Sequence, residues 1–205
     1  MSSSLTGIQA LEHGLAILAI ETAAEPLMDY LFLLDKWNRA YNLTGVKDLE
    51  SMITRHLLDS LAISPWIFGT RLLDVGAGAG LPGIPLAIAN PELRVTLLDS
   101  NGKKTRFMQE AKRVLKLDNI EIIQNRVENY HPTDAFDTVT SRAFSDLAQM
   151  ICWTKHLIAV PGKWLAMKGR FPEAELAAIQ HDYQIKTYSV PGLDGERCCV
   201  LIDNI

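Results

Sequence analysis

The spacing of hydrophobic residues changes near residue 70, and this change divides the chain into two parts. In the first part Leu27, Leu31, Leu34 and Tyr41 recur at helical spacing, and residues 49–63 form another helix-like segment. From residue 71 onward, short apolar runs alternate with helix-like segments. The pattern predicts a helical extension over residues 1–66, packed on an α/β domain over residues 67–205.

Seven apolar runs in the second part have the length and composition of β-strands. Helix-like segments separate most of them, which predicts βαβ units and a parallel sheet. The connection between the last two runs is too short for a helical crossover, so they should pair antiparallel. The predicted strands are 71–75, 95–98, 120–123, 136–140, 164–167, 185–190 and 198–202, and the predicted helices between them are 84–89, 103–117, 145–158 and 172–181. The predicted fold is α/β, with a Rossmann-like, doubly wound, mostly parallel seven-stranded sheet that ends in an antiparallel strand.

Composition narrows the class of protein. The hydrophobic fraction of 48% and the charged fraction of 21% are those of a globular protein, and no apolar run approaches the roughly 20 residues of a membrane span. The N-terminus lacks the features of a signal peptide, so we expect a cytoplasmic protein without a membrane partner. The three cysteines have neither disulfide nor zinc spacing, and no metal site is predicted.

The net charge of −4 argues against a nucleic-acid partner, but the distribution of the charges is compatible with one. Residues 1–70 contain four Lys and Arg against eight Asp and Glu, so the acidic excess lies there. Residues 103–116 contain six cations, Lys103, Lys104, Arg106, Lys112, Arg113 and Lys116, against Glu110. Such a local basic patch can bind phosphates, although a solvated helix face explains the same pattern.

A glycine-rich loop follows the first predicted strand and carries the clearest functional signal. Its spacing is Asp74-x-Gly76-x-Gly78-x-Gly80, with Pro82 at the opening of the next helix. A strand, a glycine turn and a helix N-terminus together form a nucleotide-type pocket. The leading carboxylate favours a ligand with ammonium and sulfonium charges and would repel a pyrophosphate. An overlapping G-x-G-x-x-G pattern, residues 78–83, keeps an NAD-binding alternative open.

Asp99 ends the second predicted strand, about 20 residues beyond the glycines. An acidic residue at this place normally accepts hydrogen bonds from ribose hydroxyl groups. The alternative is a helix N-cap, a role that Ser100 or Asn101 could also fill.

Several segments together, in this order, closely resemble the GidB/RsmG family of bacterial 16S rRNA methyltransferases, which act on guanine N7. The resemblance extends from about residue 10 to residue 202. The segments that carry it are Trp37-Asn38-x-x-Tyr41-Asn42-Leu43-Thr44, His56-x-x-Asp59-Ser60, Asp74-Val75-Gly76-x-Gly78-x-Gly80-x-Pro82-Gly83-Ile84-Pro85, Leu98-Asp99-Ser100-x-x-Lys103, Arg126-Val127-Glu128, Ser141-Arg142-Ala143 and Lys168-Gly169.

The resemblance implies a class I methyltransferase domain, S-adenosylmethionine as the cofactor, and the small ribosomal subunit as the partner of a monomeric enzyme. The cofactor-binding residues expected from the loop and from the resemblance are Asp74, Gly76, Gly78, Gly80, Leu81, Asp99, Val127, Glu128 and Arg142. The expected RNA-binding residues are Lys103, Arg106, Arg126, Lys168 and Arg197.

Guanine N7 carries a lone pair in the neutral base, so its methylation requires orientation and electrostatics rather than a general base. Arg142 follows the fourth predicted strand and is the candidate catalytic residue, contacting cofactor, guanine O6 or phosphate. Its alternative role is a surface ion pair with Asp146. Trp37 and Tyr41 could stack on bases, but their helical spacing favours the core. A methyltransferase acting on a small molecule or a protein remains the second functional hypothesis.

Overall fold

The computed structural model describes residues 2–142, 144 and 146–205, so Ala143 of the segment Ser141-Arg142-Ala143 lies outside the described residues. Seven strands of the described chain form one sheet in the order β3-β2-β1-β4-β5-β7-β6. The first five pair in parallel, whereas β7 pairs antiparallel with both β5 and β6. The predicted fold class, including the antiparallel C-terminal strand, is confirmed. The strands are β1 Arg71–Val75, β2 Arg94–Asp99, β3 Ile120–Gln124, β4 Phe136–Ser141, β5 Ile158–Lys168, β6 Tyr183–Tyr188 and β7 Arg197–Asn204.

Helices cover both faces of the sheet. Successive strand residues point to opposite faces, so strands such as β1 contribute side chains to both hydrophobic clusters. Leu72 of β1 belongs to one hydrophobic cluster, and its neighbour Leu73 belongs to the cluster on the other face. The helices that follow β1 are α5 Gly83–Ala89, α6 Gly102–Leu115, α7 Leu147–Thr154 and α8 Glu173–Leu176. The predicted helix over 172–181 was too long, since after Leu176 the backbone continues with i to i+3 hydrogen bonds and then enters β6.

The N-terminal segment is helical, and most of its buried side chains belong to the same hydrophobic cluster as one face of the sheet. It contains α1 Ser2–Ile17, α2 Ala24–Tyr41, α3 Leu49–Met52, a π-helical turn Ile53–Leu58, α4 Asp59–Leu61 and a 3₁₀ turn Ser64–Trp66. Leu27, Leu31 and Leu34 are fully buried, as the helical spacing predicts. Tyr41, in contrast, is 47% exposed. No helix among the described residues is long and apolar enough to span a membrane.

The contact between α2 and α6 fixes the N-terminal segment against the sheet. The Tyr30 and Phe107 rings lie 6.2 Å apart, and the Trp37 ring meets Phe107 edge-on at 5.8 Å. Trp37 therefore packs in the core, whereas the exposed Tyr41 stacks on it at 5.2 Å. This packing places α2 directly over the glycine-rich loop, because the Tyr30 hydroxyl donates to the carbonyl of Ala79 at 2.7 Å.

Candidate active site

The glycine-rich loop joins β1 to α5 at the carboxyl edge of the sheet. Gly76, Gly78 and Gly80 have φ of 68°, 62° and 84°, a left-handed conformation that other residues adopt at a cost. The Gly76 N–H donates to the Leu98 carbonyl at 2.8 Å, which holds the loop against β2. A Cβ on Gly76 would meet no atom within 4 Å, so open space lies above this backbone. The loop can therefore receive a ligand in direct contact with its main chain.

Two carboxylates hold the loop from below and from the side. Asp74 is fully buried, and its Oδ2 accepts the Gly83 N–H at 2.9 Å, while its Oδ1 is buried without a hydrogen-bond partner. Burial raises the pKa of Asp74 to about 7. Asp99 accepts the Gly78 N–H on Oδ2 at 2.9 Å and the Asn101 N–H on Oδ1 at 2.8 Å. Asn101, rather than Asp99, caps α6 by accepting from the Lys103 N–H.

A cavity of about 320 Å³ opens beside this loop, and we call it the glycine-loop pocket. Five predicted site residues line it: Gly76, Asp99, Arg126, Val127 and Glu128. Volume and lining fit S-adenosylmethionine, because a carboxylate stands where ribose hydroxyls would need an acceptor and open space lies above the backbone. Asp74, Gly78, Gly80 and Leu81 build the loop without lining the pocket, and their direct contact with a cofactor stays a prediction.

Aromatic side chains form one wall of the glycine-loop pocket, and the sequence analysis missed them. Phe144 and Trp153 line the pocket with their rings 5.9 Å apart in an edge-to-face arrangement. Trp153 lies on α7 and keeps 38% of its surface exposed. Phe144, three residues after β4, was the available signal, because ligands bind at the carboxyl ends of strands in open sheets.

A second cavity, of about 270 Å³, lies on the other side of the end of β4 and is named here the basic cavity. Arg142, Lys168 and Arg197, predicted from separate segments, meet in its wall. The sequence analysis missed three further lining residues, Arg55, Asp59 and Tyr188, two of which belong to the N-terminal segment. The described lining residues therefore include four cations and one carboxylate.

Arg142 lines the basic cavity and not the glycine-loop pocket. Its Nη1 donates to the Arg55 carbonyl at 2.9 Å and lies 3.8 Å from Oδ2 of Asp59. The alternative pairing with Asp146 is not seen, because Asp146 caps α7 by accepting the Gln149 N–H at 2.7 Å. Ser141, the preceding residue, lines the glycine-loop pocket, so the two cavities adjoin at the end of β4.

The remaining predicted RNA-binding cations lie in different surroundings. Lys168 donates to Oε2 of Glu175 at 2.7 Å and is largely buried. Lys103 and Arg106 are exposed on α6 and line neither cavity. Elsewhere on this helix Lys112 donates to the Ile120 carbonyl at 2.6 Å, and Arg113 pairs with Glu110 at 2.8 Å.

A hydrogen-bonded chain in the N-terminal segment joins two of the motifs quoted above. Asn38 Oδ1 accepts the Thr44 N–H at 2.9 Å, and the Thr44 hydroxyl lies 2.8 Å from Nε2 of His56. Nδ1 of His56 is buried without a hydrogen-bond partner. Burial, and then the positive charge of Arg142, lower the pKa of His56 to about 4, so the imidazole is neutral at pH 7. This chain fixes the loop before the π-helical turn.

Comparison with known proteins gives concordant results. The model of the GidB family, described as rRNA small subunit methyltransferase G, matches residues 23–199. A ribosomal RNA small subunit methyltransferase G from Legionella pneumophila is 61% identical over 194 residues, which cover 95% of this chain and 93% of the relative.

Solved structures share the fold at low sequence identity. A SAM-dependent methyltransferase from Aquifex aeolicus superposes with a TM-score of 0.58 at 16% identity, covering 76% of this chain and 93% of that one. M. jannaschii TYW2 in complex with AdoMet gives a TM-score of 0.51 at 16% identity, covering 71% of this chain and 74% of that one.

Proposed function

The chain belongs to the GidB family of rRNA small subunit methyltransferases, and from this premise we propose that it methylates N7 of a specific guanosine in 16S rRNA. It is an S-adenosylmethionine-dependent rRNA methyltransferase, which sets aside the NAD-dependent oxidoreductase considered above. S-adenosylmethionine, when bound, supplies an electrophilic methyl group on a sulfonium sulfur. The choice of N7 follows the family resemblance described above, and the arrangement of this chain's own residues is compatible with it.

One observation carries the proposal: the glycine-loop pocket and the basic cavity adjoin at Ser141 and Arg142. A cofactor site and a cation-lined site in contact suit transfer to an anionic, oxygen-rich acceptor such as a nucleotide. The described residues that line the basic cavity include no histidine and no cysteine, and their one carboxylate, Asp59, faces two arginines. This lining favours an acceptor atom that attacks without first losing a proton, as guanine N7 does.

Each cation then has a proposed task. Arg142 contacts guanine O6 or the adjacent phosphate and is the catalytic residue, because it lines the basic cavity and directly follows Ser141, which lines the glycine-loop pocket. Arg197 and Lys168 bind RNA phosphate deeper in the basic cavity, and Arg126 does so at the rim of the glycine-loop pocket. Asp99, Val127 and Glu128 hold the cofactor through ribose and adenine contacts, and Gly76 lies against it.

The exposed cations of α6 extend this surface beyond the cavities. Lys103 and Arg106 have no ion-pair partner among the described residues, so their charge is available to phosphates. We further propose that residues 1–66 form an extension that shapes the acceptor side and that residues 67–205 form the methyltransferase domain. The enzyme is proposed to act as a monomer without metal, in the cytoplasm, on the small ribosomal subunit.

The decisive experiment offers labelled S-adenosylmethionine with naked 16S rRNA, assembly intermediates and mature 30S subunits. Nucleoside digestion should release labelled 7-methylguanosine from at least one of these substrates. Small-subunit RNA from cells that lack this gene should be missing the same modified nucleoside, and the gene should restore it. Label in another nucleoside would reject the N7 assignment, and absence of label from every RNA would reject the proposed function.

A further inference from the structure

The π-helical turn Ile53–Leu58 changes the hydrogen bonding of one backbone carbonyl. In an α-helix the Asp59 N–H would donate to the carbonyl four residues earlier, that of Arg55. Here it donates to the carbonyls of Thr54 and His56 instead. The Arg55 carbonyl thereby loses its α-helical donor and accepts Nη1 of Arg142 at 2.9 Å. A π-turn is uncommon and often occurs at functional sites, and here it supplies an acceptor to the end of β4.

Asp59, the residue after this turn, lies between two arginines, Arg142 just after β4 and Arg197 at the start of β7. Its Oδ2 lies 3.8 Å from Nη1 of Arg142, and its Oδ1 lies 3.8 Å from Nε of Arg197, the first residue of β7. The Tyr188 hydroxyl donates to Oδ1 at 3.4 Å, a long hydrogen bond. Only 6% of the Asp59 side chain is exposed.

We propose that Asp59 and the carbonyl of Arg55 are positioning groups that hold Arg142 and Arg197 in the orientation the acceptor RNA requires. The inference rests on the proposed function. A guanidinium has five N–H donors in a fixed plane, so one hydrogen bond from Nη1 to the Arg55 carbonyl and the nearby charge of Asp59 favour one orientation of the remaining donors. Arg142 lines the basic cavity, where a guanine edge or a phosphate would need these donors. The N-terminal segment therefore acts on the reaction through Arg142, without contacting the reacting atoms.

A stabilising role alone explains this arrangement less well. A buried carboxylate between cations is costly to desolvate, and well-packed apolar residues often stabilise a fold at least as much. Both ion-pair distances, 3.8 Å, exceed those of close charge-assisted hydrogen bonds. At this distance Asp59 adds little stability, but its charge favours orientations in which both guanidinium groups face it.

The test compares Asp59→Asn with a matched control, Asp35→Asn, in the full-length protein. Asp35 is also an ion-paired carboxylate of the N-terminal segment, 2.6 Å from Arg39 on α2, and it lines neither cavity. The first measurement is the NMR spectrum of protein labelled with ¹⁵N in its arginine side chains. Arg142→Lys and Arg197→Lys assign the two resonances. In the unsubstituted protein the Nη signals of Arg142 should be resolved, because the hydrogen bond to the Arg55 carbonyl and the ion pair with Asp59 slow rotation about the Cζ–Nη bond.

Asp59→Asn should average these signals, whereas Asp35→Asn should leave them unchanged. The second measurement is methyl transfer to small-subunit RNA, with S-adenosylhomocysteine affinity measured in parallel. Asp59→Asn should lower kcat by about tenfold or more, because a misoriented catalytic group raises the barrier. Its S-adenosylhomocysteine affinity should remain within about twofold, since Asp59 lies outside the glycine-loop pocket.

The outcomes separate this inference from the proposed function. Averaged Arg142 signals in the unsubstituted protein would overturn the positioning inference directly, whatever the activity. An Asp59→Asn protein with normal cofactor affinity and normal kcat would also overturn it and leave the proposed function standing. If Asp59→Asn changes the arginine spectrum but no form of the protein methylates RNA, the proposed function fails and the positioning contact stands.

Discussion

Asp74→Asn and His56→Gln should reveal two opposite pH dependences of stability that nearly cancel in the unsubstituted protein. Both side chains are buried, and each has one buried atom without a hydrogen-bond partner. Burial disfavours the charged form of each group, so the carboxyl pKa rises and the imidazole pKa falls. A shift between the folded and unfolded states makes the free energy of unfolding depend on pH.

For Asp74 the pKa is about 7 in the folded chain, against 3.8 as its ordinary value. Below pH 3.8 the carboxyl is protonated in both states and costs nothing. As pH rises towards 7, the unfolded chain loses the proton first, so ionisation favours unfolding. Between pH 5 and pH 8, ionisation of Asp74 therefore lowers the free energy of unfolding by about 2.5 kcal/mol.

For His56 the pKa is about 4 in the folded chain, against 6.5 as its ordinary value. Above pH 6.5 the imidazole is neutral in both states. As pH falls below 6.5, His56 binds a proton in the unfolded chain but stays neutral in the folded chain until about pH 4, so acid favours unfolding. Raising the pH from 5 to 8 therefore restores about 2 kcal/mol.

Urea unfolding at constant ionic strength between pH 5 and pH 8 measures these contributions. As the pH rises from 5 to 8, the free energy of unfolding of Asp74→Asn should increase by about 2.5 kcal/mol relative to that of the unsubstituted protein. That of His56→Gln should decrease by about 2 kcal/mol relative to the same reference. Asn keeps an oxygen for the Gly83 N–H, and Gln keeps polar atoms for Thr44. Asp29→Asn, at an exposed position on α2, controls for net charge and should parallel the unsubstituted protein. Parallel profiles for all four proteins would refute the burial argument.

Three further substitutions test the site. Tyr30→Phe removes the donor to a buried loop carbonyl and should lower the free energy of unfolding by about 1–3 kcal/mol in urea, whereas Tyr41→Phe at an exposed ring should change it by less than about 0.5 kcal/mol. Gly76→Ala, at φ 68°, should cost about 1–2 kcal/mol and weaken S-adenosylhomocysteine binding by calorimetry; unchanged affinity would contradict cofactor contact at Gly76. Charge reversal of Arg106 and Arg113 to Glu should weaken RNA binding and flatten its salt dependence, and an unchanged salt slope would favour a small-molecule or protein acceptor.

The fold and the glycine-loop pocket were predictable because their signals are local. β1 has the predicted bounds, since a short apolar run ending at a glycine turn leaves little choice of register. Gly76, Asp99 and Glu128 follow three different strands, and parallel strands bring their carboxyl ends to one edge. Because each of these three residues lies at or near the end of a strand in the sequence, their position in one pocket could be predicted.

Arg142, Lys168 and Arg197 of the basic cavity were predicted, whereas Arg55 and Asp59 were not. The position of these two residues depends on helix geometry that hydrophobic spacing does not encode. Residues 49–63 have the spacing of one continuous helix, and one inserted residue in its middle leaves the apolar periodicity almost unchanged. That insertion is what turns the Arg55 carbonyl and the Asp59 carboxylate towards Arg142. His56 and Asp59 belong to a motif that was quoted for its resemblance, but their shared role appears only when the i to i+5 hydrogen bonds are known.

The contacts of the N-terminal segment explain why a helical extension and a methyltransferase domain function as one unit. The predicted boundary near residue 66 describes a change in sequence pattern and stays a prediction. The site crosses this boundary twice: Tyr30 holds the glycine-rich loop, and the π-helical turn holds Arg142. Under the proposed function the first contact lies on the methyl-donor side and the second on the acceptor side, so a displacement of the helices should disturb both sides together.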